Sequence, residues 1–272
     1  MPSPFFEKVA SAVEAAIHDA ETELPADVIS VLTRAYETET SAVAKGEYEN
    51  IFENLRIAKE RDVPICQDTG LIVIYITLPP SVPYSSELYE AAAEGVSRAT
   101  VSVPLRPNAV DPISRHNSGN NCGAGIPSIH ILPGDKFSVT VLPKGAGSEN
   151  MSQIKMMLPS EVGSIADFVC EVVKTAGSRP CPPMVVGVGI GGTFDSAPAL
   201  AKEALLLPID SMDEFEQSIC DKINELGIGA MGLGGKTTAL AVKVKRGACH
   251  TASLPVAVNI QCWCCRRRRV EL

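Results

Sequence analysis

Three cysteines lie in segments whose neighbouring side chains favour site chemistry over core packing. The first, Cys66, lies in the run 63–70 beside an amide, a carboxylate and a hydroxyl, which belong to Gln67, Asp68 and Thr69. A helical pattern precedes this run and an apolar strand-like run follows it. The thiol is therefore expected on a turn, where a metal ligand or a reactive group can be presented.

The second cysteine, Cys181, lies between prolines. Pro180 precedes it and Pro182 and Pro183 follow, so the backbone is restricted and cannot be helical. A strand of small and branched residues is predicted directly afterwards, at 184–190. This pattern places the sulfur on a rigid turn at a strand end, as a ligand requires, although a cysteine merely tolerated in a loop would look the same.

The third cysteine, Cys262, ends an apolar run and is followed by Trp263, Cys264 and Cys265. With His250 these thiols could form a zinc-binding interaction module. Structural zinc usually takes paired Cys-x2-Cys or His spacings, however, and no second pair is present. The other two cysteines considered, Cys170 and Cys220, fall in helical patterns and are interpreted as small buried residues.

Three separated cysteines on turns suit an iron–sulfur cluster better than a local zinc finger. A four-iron cluster normally takes four thiolates. With three, one iron keeps an open position and can act as a Lewis acid on a hydroxyl or carboxylate.

Several polar residues could bind an acidic substrate. Arg106 lies between prolines, which suits a bidentate carboxylate clamp, although a solvated surface arginine remains possible. The glycine-rich loop around Gly147 could bind a carboxylate through its amides. Lys236 follows glycines that fail the phosphate-loop template, so ATP binding is rejected and the lysine is kept as an anion-binding candidate. His250 could exchange protons near neutral pH or be an ordinary loop histidine.

The chain as a whole reads as an α+β (mixed α/β) protein. Its 272 residues are 45% hydrophobic and 21% charged, as in globular proteins. We expect one domain over 1–272, comprising a helical N-terminal segment at about 5–62, an α/β cluster-binding region at about 63–265 and a basic tail at 266–272. The expected strands are 71–78, 128–132, 137–142, 184–190, 237–245 and 254–261, and the later helices 86–100, 160–176, 196–206 and 213–226. A long functional loop is expected at 104–127.

Charge and composition narrow the class of protein. A net charge of −8 argues against a general nucleic-acid binder, and no apolar run is long enough to cross a bilayer. The N-terminus has neither the basic nor the apolar part of a signal peptide. A cytoplasmic protein is therefore expected, in which nine cysteines are buried, catalytic or metal-bound rather than paired.

Taken in order, these motifs resemble one family, the class I iron–sulfur fumarate hydratases and L-tartrate dehydratases, in particular the α subunit of the two-subunit form. The resemblance runs from about Phe5 to Arg267. The matching runs are Cys66–Gly70, the turn and glycine-rich strand that begin at Cys181, Gly229–Thr238 and His250–Trp263.

The resemblance implies a [4Fe-4S] cluster held by Cys66, Cys181 and Cys262. It places Gln67, Asp68, Arg106 and the Gly147 loop near the substrate and His250 near the reaction centre, with Asp68 or His250 available for proton transfer or for orienting the leaving water. It also implies a separate β subunit that completes the active site, so the chain would be inactive alone and would assemble as αβ pairs.

The substrate implied is a small dicarboxylate. The intact Gly234-Gly235-Lys236 run favours fumarate and malate, with L-tartrate or a methyl-substituted diacid such as mesaconate as alternatives. One departure from the family pattern is the run Cys264–Arg269, whose arginines are expected to form a solvated tail or a contact with the β subunit.

Overall fold

The structure, a computed structural model, describes residues 2–272 and confirms the α+β class. The first part of the chain is helical, as predicted, and it forms three helices. None of the helices formed by residues 2–272 combines the length and apolar character needed to cross a membrane. The helices are α1 Pro4–Thr22, α2 Ala26–Thr38, α3 Ala42–Arg61, α4 Glu87–Ser102, α5 Ala146–Glu149, α6 Ile165–Ala176, α7 Ser196–Ala204 and α8 Glu214–Asn224.

Eight strands follow or alternate with these helices. All six predicted strands are present, and two more form where none was predicted, β4 and β8. The strands are β1 Leu71–Leu78, β2 Ser128–Pro133, β3 Ser138–Lys144, β4 Gln153–Met157, β5 Met184–Gly192, β6 Ala239–Cys249, β7 Leu254–Gln261 and β8 Arg268–Glu271. Between α4 and β2 the chain forms only isolated bridges, which confirms the predicted long loop.

The chain divides into two compact units. Unit 1 comprises residues 1–25, 54–146 and 266–272, and unit 2 comprises residues 26–53 and 147–265. Each unit contains one four-stranded sheet, with the order β2-β1-β3-β8 in unit 1 and β4-β7-β5-β6 in unit 2.

Unit 1 has a core between its sheet and two helices, α1 and α4. The α1 helix begins at Pro4, where the Ser3 hydroxyl accepts a hydrogen bond of 3.0 Å from the Phe6 amide. Its apolar face, which includes Val13, is fully buried against the sheet and α4. Strand β1 pairs with β2 in parallel and with β3 in antiparallel orientation. The antiparallel pairing places the start of β1 beside the end of β3. The turn that carries Cys66 enters the sheet at that point.

Unit 2 has a core between its sheet and helices α6 and α8, and helix α7 packs on the sheet through a separate small cluster that includes Ala197 and Ala201. Strand β5 explains the glycines that follow Cys181. A Cβ on Gly187 would lie 2.2 Å from the Ala201 carbonyl oxygen, and one on Gly189 would lie 2.1 Å from the Ala197 oxygen. Because only glycine permits so close an approach, α7 can lie directly on this strand.

The prediction of a solvated arginine tail is wrong in two respects, although Arg268 and Arg269 are exposed. Residues 268–271 form β8, an antiparallel edge strand on β3. Arg266, which precedes it, is only 1% exposed. The sequence signal was misleading because four consecutive arginines usually mark a solvated face, whereas here the first one is an interior residue.

Candidate functional site

The Cys66 turn lies in unit 1 between α3 and β1. Its thiol is half-buried, and the neighbouring Gln67 is exposed. Two main-chain contacts fix the turn at Ile65, whose amide donates to the Glu21 carbonyl at 2.8 Å and whose carbonyl accepts from the Asn54 side chain at 2.8 Å. The predicted turn is thus present, with its backbone held on both sides.

The Asp68 carboxylate is fixed by two backbone amides. Its Oδ1 accepts from the Gly70 amide at 3.0 Å and its Oδ2 accepts from the Ala146 amide at 2.9 Å. Gly70 has a φ of 74°, and an added Cβ there would lie 2.6 Å from the Lys144 carbonyl carbon. Each carboxylate oxygen can still accept a further hydrogen bond, because it has a second lone pair.

The Arg106 segment lies against the same turn through its main chain. The Arg106 carbonyl accepts from the Thr69 hydroxyl at 3.4 Å and from the side chain of Asn121 at 3.1 Å. The Arg106 side chain is exposed. Asn121, 2% exposed, also accepts from the Asn108 amide at 2.6 Å and so anchors the long loop. The structure therefore brings Gln67, Asp68 and the Arg106 segment together beside Cys66.

A buried ion pair behind this turn was not predicted from the sequence. The Arg266 guanidinium contacts the Glu21 carboxylate through Nη1 and donates from Nη2 to the Asp68 carbonyl at 2.9 Å. Burial raises the pKa of Glu21 to about 7, an effect opposed by Arg266 and reinforced by the charge of Asp68. Neither residue has a sequence signal, since both lie far along the chain from Cys66.

The Cys181 turn lies in unit 2 at the start of β5, as predicted. Cys181 is exposed and has a φ of 53°, a left-handed conformation that costs a non-glycine residue about 1 kcal/mol. Its carbonyl accepts a hydrogen bond of 3.2 Å from the Trp263 amide. That bond brings the segment of the half-buried Cys262 to the same turn. Such backbone strain is concentrated at functional sites.

Two glycine-containing loops border the Cys181 turn within unit 2. A Cβ on Gly147 would lie 3.3 Å from the Arg179 carbonyl oxygen, so this loop passes close to the turn. Met231 donates its amide to the Pro182 carbonyl at 2.8 Å. The structure therefore brings the Gly147 loop beside the turn that carries Cys181.

Lys236 lies five residues beyond Met231, in the segment that leads into β6. Its ammonium group donates to the Thr38 carbonyl at 3.0 Å, and its amide donates to the Glu39 carboxylate at 2.7 Å. The side chain is exposed. Its predicted role in anion binding stays a prediction.

His250 is not brought together with the cysteines of its own unit. It follows β6, whose last residue pairs with Gly192 at the far end of β5, whereas Cys262 follows the opposite end of β7. The eight residues of β7 separate the two by roughly 25 Å. The exposed imidazole accepts a hydrogen bond of 3.1 Å from the Ala252 amide through Nδ1. The structure thus supports the ordinary loop histidine and not a role beside Cys181 and Cys262 of the same chain.

The zinc-module alternative is wrong for the same reason. Cys264 and Cys265 are buried, at 1% and 0% exposure, and His250 lies at the other end of the sheet from Cys262. Among residues 2–272, no three His, Cys, Asp or Glu side chains are gathered so as to hold a metal ion. The candidate cluster ligands are divided as one thiol in unit 1 and two in unit 2.

The nine cysteines differ in the chemistry available to them. None is part of a disulfide. Burial raises the pKa of Cys220 to about 12, which keeps it protonated at neutral pH and confirms it as a small buried residue. The candidate ligands are more accessible, since Cys66 and Cys262 are half-buried and Cys181 is exposed. Accessible thiols on backbone-fixed turns are a donor set that fits an iron–sulfur cluster.

Comparison with known proteins identifies the class. Residues 10–271 match the family described as fumarate hydratase (Fumerase). The chain is 44% identical over 280 residues to "Putative L(+)-tartrate dehydratase subunit alpha" of Methanocaldococcus jannaschii, covering 97% of this chain and 98% of the relative. It is 35% identical over 256 residues to L(+)-tartrate dehydratase subunit alpha of Escherichia coli, covering 90% of this chain and 84% of the relative.

These matches extend over nearly the whole sequence. The protein is a hydro-lyase, an enzyme that adds water to a double bond or removes it. It belongs to the fumarate hydratase (Fumerase) family, which confirms the resemblance seen in the sequence motifs.

Proposed function

We propose that this chain is the α subunit of an iron–sulfur-dependent hydro-lyase that interconverts fumarate and malate. The observation that carries the proposal is the hydrogen bond of 3.2 Å between the Trp263 amide and the Cys181 carbonyl, which couples two accessible candidate ligands at one end of a sheet. Family membership and the Cys66 turn of unit 1 support the same assignment.

In this proposal Cys66, Cys181 and Cys262 hold a [4Fe-4S] cluster. When bound, a cluster with three thiolate ligands supplies an open iron that acts as a Lewis acid on a hydroxyl leaving group. The residues beside Cys66 bind and orient the substrate. The exposed side chains of Gln67 and Arg106 would contact its polar groups, and Arg106 suits a carboxylate.

Asp68 has the geometry of an orienting group. Both carboxylate oxygens are held by amides, at 3.0 Å from Gly70 and 2.9 Å from Ala146, so the carboxylate cannot turn easily. In the proposed site it accepts a hydrogen bond from the departing water or from the substrate hydroxyl. The Gly147 loop and Lys236 are proposed to bind substrate carboxylates, and His250 is not assigned a role in the site of its own chain.

The proposed active site needs a second polypeptide. Both relatives are named as α subunits, and the family resemblance implies that further active-site groups belong to a second chain. We therefore propose a β subunit that supplies the remaining catalytic groups, in an assembly of αβ pairs. Nine thiols without a disulfide also fit a reducing cytoplasm.

The test is anaerobic co-expression with a β subunit from the same source, followed by assays of fumarate hydration and malate dehydration. Activity that requires both chains, together with about four irons per chain, is the expected result. Cys66→Ser, Cys181→Ser and Cys262→Ser should each lower the iron content. Cys249→Ser is the matched control, because Cys249 is exposed but lies at the other end of the sheet. Unchanged iron content in all three ligand variants would refute the cluster.

A second candidate substrate is L-tartrate, which the names of both relatives favour. The same anaerobic preparation distinguishes the two candidates. A kcat/KM for L-tartrate at least tenfold above that for malate would assign the enzyme to tartrate. The opposite ratio would assign it to malate and fumarate, and mesaconate serves as the methyl-substituted comparison.

A further inference from the structure

Arg266 is unusual within its own run of arginines. It is 1% exposed, whereas Arg268 and Arg269 are exposed. A guanidinium group is rarely buried unless its charge is paired and its donors are used, because its desolvation is costly. Its burial therefore indicates that the side chain makes specific contacts that contribute to the structure of unit 1.

The contacts of Arg266 converge on the Cys66 turn. Its Nη2 donates to the Asp68 carbonyl at 2.9 Å, while its Nη1 contacts the Glu21 carboxylate. Glu21 in turn accepts the Ile65 amide on its main-chain carbonyl at 2.8 Å. The two residues of the pair thus bind the turn at both ends. Arg266 binds the Asp68 carbonyl, and Glu21 binds the Ile65 amide.

Both partners are anchored in regular structure of the same unit. Glu21 lies in the last turn of α1, and its side chain is fully buried. Arg266 is two residues ahead of β8, which pairs with β3 from Arg268 to Glu271. Side chains held by such elements can fix a neighbouring loop more closely than loop residues can fix one another.

We propose that Arg266 is a positioning residue that, together with Glu21, holds the Ile65–Asp68 turn and so directs the side chains of Cys66, Gln67 and Asp68. The proposal deepens the proposed function, on which its relevance to catalysis rests. Arg266 itself does not contact the substrate. Its role is to set the direction of one cluster ligand and two substrate-facing groups.

The decisive variant removes both buried charges, as Glu21→Met with Arg266→Met. Replacing a buried ion pair by apolar residues is often neutral for stability, whereas removing one partner leaves an unpaired buried charge. The double variant therefore distinguishes an effect of the ion pair on the turn from an effect on the stability of the whole unit. Arg266→Lys is the conservative variant, because an ammonium group lacks the rigid fork that reaches two acceptors. Arg268→Met is the matched control, since Arg268 makes only an exposed ion pair with Asp19 at 2.9 Å.

The readout is hydrogen exchange, measured by mass spectrometry on the metal-free chain. Amides of residues 65–70 should exchange at least tenfold faster in the double variant and in Arg266→Lys, with little change elsewhere in unit 1. Alkylation of Cys66 should accelerate in parallel, and cluster incorporation with the β subunit present should fall. Arg268→Met should match the wild type.

Two results would overturn the proposal. One is exchange at residues 65–70 within twofold of the wild type in both variants. The other is faster exchange spread evenly over unit 1, which would show a purely structural role. Failure of the proposed function is a separate observation, because it would appear as wild-type protein that binds no iron. Hydrogen exchange of the metal-free chain would still test whether Arg266 and Glu21 hold the turn.

Discussion

At the scale of single residues, main-chain contacts do much of the positioning around Cys66. The amide of Ile65 and the carbonyls of Ile65, Asp68 and Arg106 are all bound by groups distant in sequence. Those contacts fix the backbone, and the backbone then sets where the polar side chains point. Substitutions behind the turn should therefore affect the site as strongly as substitutions in it.

Glu21 gives a prediction about pH. Its pKa is raised from 4.5 to about 7 in the folded protein, so the folded state binds the proton more tightly than the unfolded state does. The resulting stabilisation is fully present below pH 4.5 and is lost as the pH rises through 7, by roughly 3 kcal/mol. Glu21→Gln cannot titrate, so its free energy of unfolding should vary less across this range. Urea unfolding at several pH values between 4.5 and 8 measures the difference.

The pKa of Glu21 depends on the charges of Arg266 and Asp68, which lie near its carboxyl group. If wild type and Glu21→Gln showed the same dependence on pH, the raised pKa would be wrong. Arg268→Met again serves as a control, because Arg268 is half exposed and does not contact Glu21.

Sequence patterns could identify the three candidate cysteines but not their supports. Prolines around Cys181 and polar neighbours around Cys66 are local signals, and the structure places both on turns at strand ends. Arg266 and Asn121 act through contacts across 198 and 15 residues with Asp68 and Arg106. Such partners depend on the tertiary fold, which no local pattern encodes.

At the scale of elements, β8 closes one edge of the unit 1 sheet. It pairs with β3 over four residues, and Val270 packs against the core. Without it, β3 would present unpaired amides and carbonyls that could pair with another chain. This short strand therefore protects the sheet as well as carrying Arg266 to its site.

Val270→Ser tests the contribution of β8. Loss of the packed side chain should lower the free energy of unfolding by about 1–2 kcal/mol and increase self-association through β3. Arg269→Ser, at the adjacent exposed position, should change the free energy of unfolding by less than about 0.5 kcal/mol. Chemical denaturation and light scattering measure the two effects, and equal results for the two variants would contradict the role of β8.

The two strands missed from the sequence are the least regular ones. Both β4 and β8 are edge strands, and their residues are mostly exposed, so neither shows the apolar alternation that marks a strand. The buried strands β1, β5 and β7 were predicted nearly to the residue because their apolar runs are continuous. The predicted helix at 160–176 begins as a 3-10 helix at Pro159–Ser164 before α6.

At the scale of the whole molecule, each of the two units has a large hydrophobic core of its own. Unit 1 buries residues such as Val141 between β3 and its helices, and unit 2 buries Val186 on β5. Both side chains are 0% exposed. They provide a matched pair of positions with the same chemistry in different units.

Val141→Ala and Val186→Ala should each destabilise by about 2 kcal/mol, from lost burial and the cavity left behind. Because units with their own cores can open separately, each variant should lower hydrogen-exchange protection chiefly in its own unit. Mass spectrometry of peptides from both units measures this. Equal loss of protection in both units for either variant would show that the two cores unfold together.

The discontinuity of unit 1 also sets an order of events during translation. The ribosome makes all of unit 2 before it makes residues 266–272, which complete unit 1. At ~5–20 residues per second, roughly 10–40 s pass between synthesis of Cys66 and synthesis of Arg266. During that interval the nascent Cys66 turn lacks the buried ion pair between Arg266 and Glu21. If the chain binds the proposed cluster, delivery of that cluster is therefore expected to act on chains already synthesised through Arg266, not on shorter nascent ones.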